Sequence, residues 1–153
     1  MKHRLLLLLA VLLSLAVAAP ALAADFTIKE IRFEAADTAE RTETVHVMLN
    51  ALLYPTTFAL VEGTPRVVCD FINTEPAKGI NRTIEANGSY IKRIRIGVHT
   101  NPKIKTRVVL DLVPDRNYTI QQIASPKNNR FSIVVRVPAE ENVPAVDDQI
   151  QEK

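Results

Sequence analysis

A phrase that occurs twice is the strongest constraint on how this chain can fold. Pro65 to Phe71 reads PRVVCDF and Thr106 to Leu112 reads TRVVLDL, so that Arg66 matches Arg107 and Asp70 matches Asp111 at an offset of 41 residues. Within the second copy Arg107, Val109 and Asp111 share one side of an extended chain, and Val108, Leu110 and Leu112 share the other. This is the pattern of a strand with one apolar face against a core. Two such strands imply a structural repeat, and any function is best sought in what they present to solvent.

The neighbouring segments follow the same period. Phe26 to Phe33 is a strand whose alternation breaks near Lys29 or Glu30, which predicts a bulge. Glu34 to Arg41 is polar and turn-like. VHVMLNALL, from Val45, can be read as strand or short helix, and its β-branched start and the nearby Pro55 favour strand. Thr56 to Val61 is a further short run, turned by Glu62 to Pro65 into Arg66 to Ile72. Asn73 to Gly88 is irregular, with room for one short strand near Ile84, and crosses from one half to the other. Tyr90 to His99 places Ile94, Ile96 and Val98 on one face and Arg93, Arg95, Gly97 and His99 on the other. Ile104 to Val113, Tyr118 to Ile123 and Phe131 to Val137 complete eight principal strands, with no amphipathic helix. The expected fold class is all-β, a sandwich of two roughly four-stranded sheets with internal pseudo-symmetry.

The ends read differently. Met1 to Ala23 has a short basic start, an apolar run from Leu5 to Ala19 and an A-x-A exit at Ala21 to Ala23. That is a secretory signal, too short in its apolar run for a spanning helix. Cleavage after Ala23 leaves no lipidation cysteine at the new start, so no membrane insertion is expected once the signal is removed. The predicted organisation is a signal peptide at 1–23, a β domain at 24–137 and a disordered acidic tail at 138–153. The mature chain is formally neutral, yet residues 24–137 carry 16 Lys or Arg against 12 Asp or Glu, and the tail carries one Lys against five acids. Cys69, the only cysteine, has no partner for an internal disulfide and stands at an inward strand position, where it reads as a small buried hydrophobe.

The string KRIRIGVHTNPKIKTRVVLDL, Lys92 to Leu112, resembles the AMIN domain family. Arg95, Gly97, Pro102, Thr106, Arg107, Val108, Val109, Leu110 and Asp111 carry this half of the match, and PRVVCDF carries the other. The resemblance covers about Phe26 to Val137. It implies two symmetric sheets, a bacterial periplasmic location, and a targeting module that binds peptidoglycan ahead of cell-wall amidase domains or type IV pilus secretins. This sequence contains neither companion domain, so neither catalysis nor channel formation is carried over.

The residues themselves point away from an enzyme. No H-E-x-x-H, C-x-x-C or G-x-S-x-G spacing exists, and there is no glycine-rich phosphate loop; no metal or other cofactor is expected. A neutral, exported chain with few aromatics is a poor nucleic-acid binder. Three N-x-[ST] triplets, at Asn81, Asn87 and Asn117, are discounted in a bacterial setting. The candidate ligand-binding residues are Arg93, Arg95, His99, Arg107 and Arg66, because guanidinium groups grip carboxylates in bidentate fashion. The competing expectation is an Arg-Asp ladder, Arg66 near Asp70 and Arg107 near Asp111. Peptidoglycan, or a protein of an envelope machine, is the expected partner.

Overall fold

The computed structural model describes residues 24–37, 39–60 and 63–139. The signal segment and all of the acidic tail beyond Ala139 lie outside the described residues. Among the described residues ten strands follow one another: β1 Phe26–Asp37, β2 Thr42–Leu49, β3 Thr56–Leu60, β4 Arg66–Ile72, β5 Thr74–Pro76, β6 Thr83–Glu85, β7 Ile91–His99, β8 Lys105–Leu112, β9 Thr119–Ser125 and β10 Arg130–Arg136. Two five-stranded sheets result, in the orders β5-β1-β2-β10-β9 and β3-β4-β8-β7-β6. Their inner faces enclose a core of Ile28, Val45, Val47, Val67, Phe71, Ile94, Leu110, Phe131 and Ile133, each almost fully buried. Phe71 of one sheet meets Phe131 of the other edge to face, with centroids 5.9 Å apart.

The sandwich is as expected, with five strands per sheet in place of four. Of the two additional strands, β6 is the short strand for which the sequence leaves room near Ile84, and β5 is not expected from it; both are three residues long, too short to show a period of two. Asn73, in the left-handed region at φ 54°, turns the chain out of β4 and directly into β5 of the other sheet. There β5 runs parallel to β1. It is an edge strand, which is where Pro76 can be accommodated. Strand β1 continues to Asp37, past the turn expected from Glu34, because its polar residues still pair: Glu34 stands opposite Thr44 on the solvated face. The register of β1 shifts between Ile28 and Glu30, in keeping with the bulge expected near Lys29 or Glu30.

The two copies of the repeat pair with each other. Strands β4 and β8 are antiparallel with Val68 opposite Val109, so that Arg66 faces Asp111 and Asp70 faces Arg107. A local two-fold axis thus runs between the copies. A tie between the sheets holds one end: the Glu43 carboxylate, 1% exposed, accepts the backbone N–H groups of Ser89 at 2.6 Å, Tyr90 at 3.1 Å and Ile91 at 2.7 Å.

Candidate functional site

The outer face of the β3-β4-β8-β7-β6 sheet is a grid set by strand register. One row runs Leu60, Arg66, Asp111, Arg93, Glu85; the next Phe58, Val68, Val109, Arg95, Thr83; then Thr56, Asp70, Arg107, Gly97; and last Ile72, Lys105, His99. All five candidate residues therefore project from one face, as alternation demands.

One departure from alternation shapes the site. Ile91 and Ile94 are both fully buried although three residues apart, which a regular strand does not allow. The register shifts between Ile91 and Arg93, so Lys92 and Arg93 together oppose Asp111. This β-bulge keeps both basic residues exposed in succession. The Lys92 carbonyl accepts the N–H groups of Ala86 and Asn87, at 3.1 and 3.0 Å, fixing the bulge to the preceding loop.

Two carboxylates organise the charge. Asp111, 5% exposed, takes Arg95 through Nε at 2.8 Å and a terminal nitrogen at 2.6 Å, and Arg93 through Nε at 3.1 Å. Burial pushes its carboxyl upward, and the hydrogen bonds from Arg95 and Arg93 outweigh that to leave it below its ordinary value. Asp70 takes Arg107 in a bidentate grip at 2.6 and 2.8 Å and Lys105 at 2.8 Å. The Arg107 hydrogen bond leads in lowering Asp70 from 3.8 to about 2, against the opposing effect of burial. Arg107 also lies 5.7 Å over the ring of Phe58.

The expected ladder thus forms between the copies and not along each one: Arg107 binds Asp70, and Asp111 goes to Arg93 and Arg95. Residues four apart in a strand are separated by about 13 Å, whereas cross-strand neighbours meet. The local symmetry breaks at Arg66. Its register partner Asp111 is already occupied, and Arg66 Nε is buried with no hydrogen-bond partner among the described residues.

A shallow cleft of about 670 Å³ opens at this point, lined by Arg66, Glu85, Asn87, Gly88, Lys92, Arg93, Arg95 and Asp111. Four cations face two acids there. Of the candidates, Arg66, Arg93 and Arg95 line it, while Arg107 belongs to the Asp70 cluster and His99 lies exposed at the far end of β7. Lys92 was not among the candidates; the odd spacing of Ile91 and Ile94 is the signal that marks it.

The opposite sheet carries Ser132, His46 and Glu34 in sequence, with His46 Nδ1 2.8 Å from Ser132 Oγ and Nε2 2.7 Å from Glu34. The residue types are those of a hydrolytic triad, but the setting is not. Ser132 is 3% exposed in the middle of β10, which is paired on both sides along its length, so the nearby backbone N–H groups are spent in the ladder and cannot form an oxyanion hole.

Among known proteins, the family model of the AMIN domain matches residues 30–135, which span both copies of the repeat, the bulge and the cleft. No curated protein matches the chain. Fold, repeat and family match agree, and the chain belongs to the AMIN domain family.

Proposed function

We infer that this protein is a non-catalytic periplasmic localisation module that binds peptidoglycan through the cleft lined by Arg66, Lys92, Arg93 and Arg95. The observation that carries the reading is the cation surplus around Asp111. Arg93 and Arg95 share that carboxylate, with Glu85 a second, looser partner of Arg93 at 4.0 Å, and Arg66 and Lys92 have no ion-pair partner among the described residues. Such a cleft offers a guanidinium and an ammonium to an incoming carboxylate, the group that peptidoglycan stem peptides carry. Asp111 holds Arg93 and Arg95 in place and keeps their charge local, so the carboxylate docks on a preformed surface. The signal segment supports export, and membership of a family of targeting modules supports binding without chemistry.

Purified sacculi test the reading. The mature chain should sediment with them, and Arg66→Gln with Lys92→Gln should cut the bound fraction at least fivefold while the melting temperature stays put. No sedimentation by the mature chain, or equal sedimentation by the folded double variant, would overturn it.

A second reading is favoured by β3. This edge strand carries no charge, and it exposes Phe58 (38%) and Leu60 (40%), so its free backbone groups suit strand addition by a protein of an envelope machine such as a pilus secretin. A photo-crosslinker at residue 58 should then capture a protein in cells, and capture lost on placing proline at residue 57 or 59 would identify pairing through the backbone.

A further inference from the structure

The cleft opens where the described chain leaves the sandwich. Strand β10 ends at Arg136, opposite Thr42, and the Val137 N–H is donated to the Arg41 carbonyl at 3.1 Å. Thr42 precedes Glu43, whose carboxylate grips Ser89 beside Gly88, and Gly88 lines the cleft. Val113, also on the cleft wall, donates its N–H to the Tyr90 carbonyl at 2.9 Å. The described chain therefore leaves the sandwich after Val137 at the same end as the cleft, and residues 140–153 follow in sequence. They hold Glu140, Glu141, Asp147, Asp148 and Glu152 against Lys153 alone.

We propose that this acidic segment occupies the Arg66, Lys92, Arg93 cleft of its own chain and competes there with external carboxylates. The proposal rests on the reading of the cleft as a carboxylate site. Charge complementarity is direct: four cations and two acids in the cleft meet five acids and one lysine in the segment. Chain length provides the reach: Glu140 and Glu141 follow Val137 by three and four residues and Asp147 and Asp148 by ten and eleven, spans of up to about 13 Å and about 36 Å at ~3.3 Å per residue. Tethering at this length holds the competitor at an effective concentration of roughly millimolar, enough for a few exposed ion pairs to matter although each is weak. The cleft would then be partly self-occupied at low salt, and a polymer with many carboxylates would displace the segment where a single free carboxylate would not.

Carbodiimide coupling of the full mature chain tests the contact without any peptidoglycan, since it joins an amine to a carboxylate only where the two touch. The expected product, read by mass spectrometry on mixed light and heavy chains, links Lys92 to Glu140, Glu141, Asp147 or Asp148 of the same chain. It should fade in roughly 0.5 M salt. Coupling of Lys92 to Glu85 only, or to the acidic segment of other molecules only, overturns the proposal. A second arm uses the full chain carrying Glu140→Gln, Glu141→Gln, Asp147→Asn, Asp148→Asn and Glu152→Gln, which should bind sacculi about two- to fivefold more tightly as the self-occupied fraction is released. If neither chain binds sacculi, the peptidoglycan reading fails and the coupling result still decides the contact. If both bind equally and the link is missing, the self-occupancy fails alone.

Discussion

Burial raises the Cys69 thiol from 9.0 to about 11, with only a partial offset from the Thr57 hydroxyl. At pH 8 about a thousandth of it is thiolate, so the folded protein should react with iodoacetamide at least 100-fold more slowly than an unfolded sample in urea. Intact mass against time measures this, and labelling at the unfolded rate would contradict the inward placement. Asp70 makes the opposite case. Its folded value, near 2, lies below the unfolded 3.8, so the carboxylate contributes stability that is complete above about pH 4 and is lost as pH falls through about 2. The difference corresponds to at most ~2.5 kcal/mol, and solvent at Arg107 and Lys105, 33% and 26% exposed, reduces it to about 1–2 kcal/mol. Asp70→Asn should therefore be less stable than the parent at pH 7, and the gap should close by that amount between pH 5 and pH 2 in urea titrations.

Between elements, the bulge in β7 and the tie from β2 are what give the cleft its shape. The tie is tight: a Cβ on Gly88 would fall 2.5 and 2.7 Å from the two Glu43 carboxylate oxygens, and that carboxylate cannot swing aside without abandoning three N–H groups. Gly88→Ala should cost about 1–3 kcal/mol and Glu43→Ala about 3 kcal/mol. Because the clash disappears with Glu43, the double variant should cost less than the two single costs combined, by about 1 kcal/mol or more. Denaturant midpoints for the four proteins close the cycle; additivity would show that the two groups do not meet. The bulge needs no comparable support, since Lys92 points to solvent and its carbonyl is held by Ala86 and Asn87.

For the molecule as a whole, charge is distributed more tellingly than it is totalled. Residues 24–153 balance 17 Lys or Arg with 17 Asp or Glu and still present a basic cleft, while residues 138–153 carry five acids against one Lys. Binding to an anionic polymer should therefore depend on local field and not on net charge. Retention on sacculi should fall severalfold as salt rises from roughly 0.05 to 0.3 M, where screening shortens from above 10 Å to below it. Retention indifferent to salt would move the contact to the apolar edge at Phe58 and Leu60.

Much of this was legible in the residues. Alternation placed the eight longer strands, the face of every candidate arginine and a bulge near Lys29 or Glu30, because side-chain direction in a strand is a local property with a period of two. The repeated phrase, with Arg95 and Gly97 beside it, marked the family. Alternation does not say which strand lies beside which. That choice brought Asp70 to Arg107 and gave Asp111 to Arg93 and Arg95, leaving Arg66 the member of the symmetric set with no ion-pair partner among the described residues. It also made a site of the Lys92 bulge, whose meaning depends on both strands flanking β7. Face is fixed by neighbours in the chain, whereas pairing is fixed by contacts across 41 residues, and those exist only once the two sheets have closed on their core.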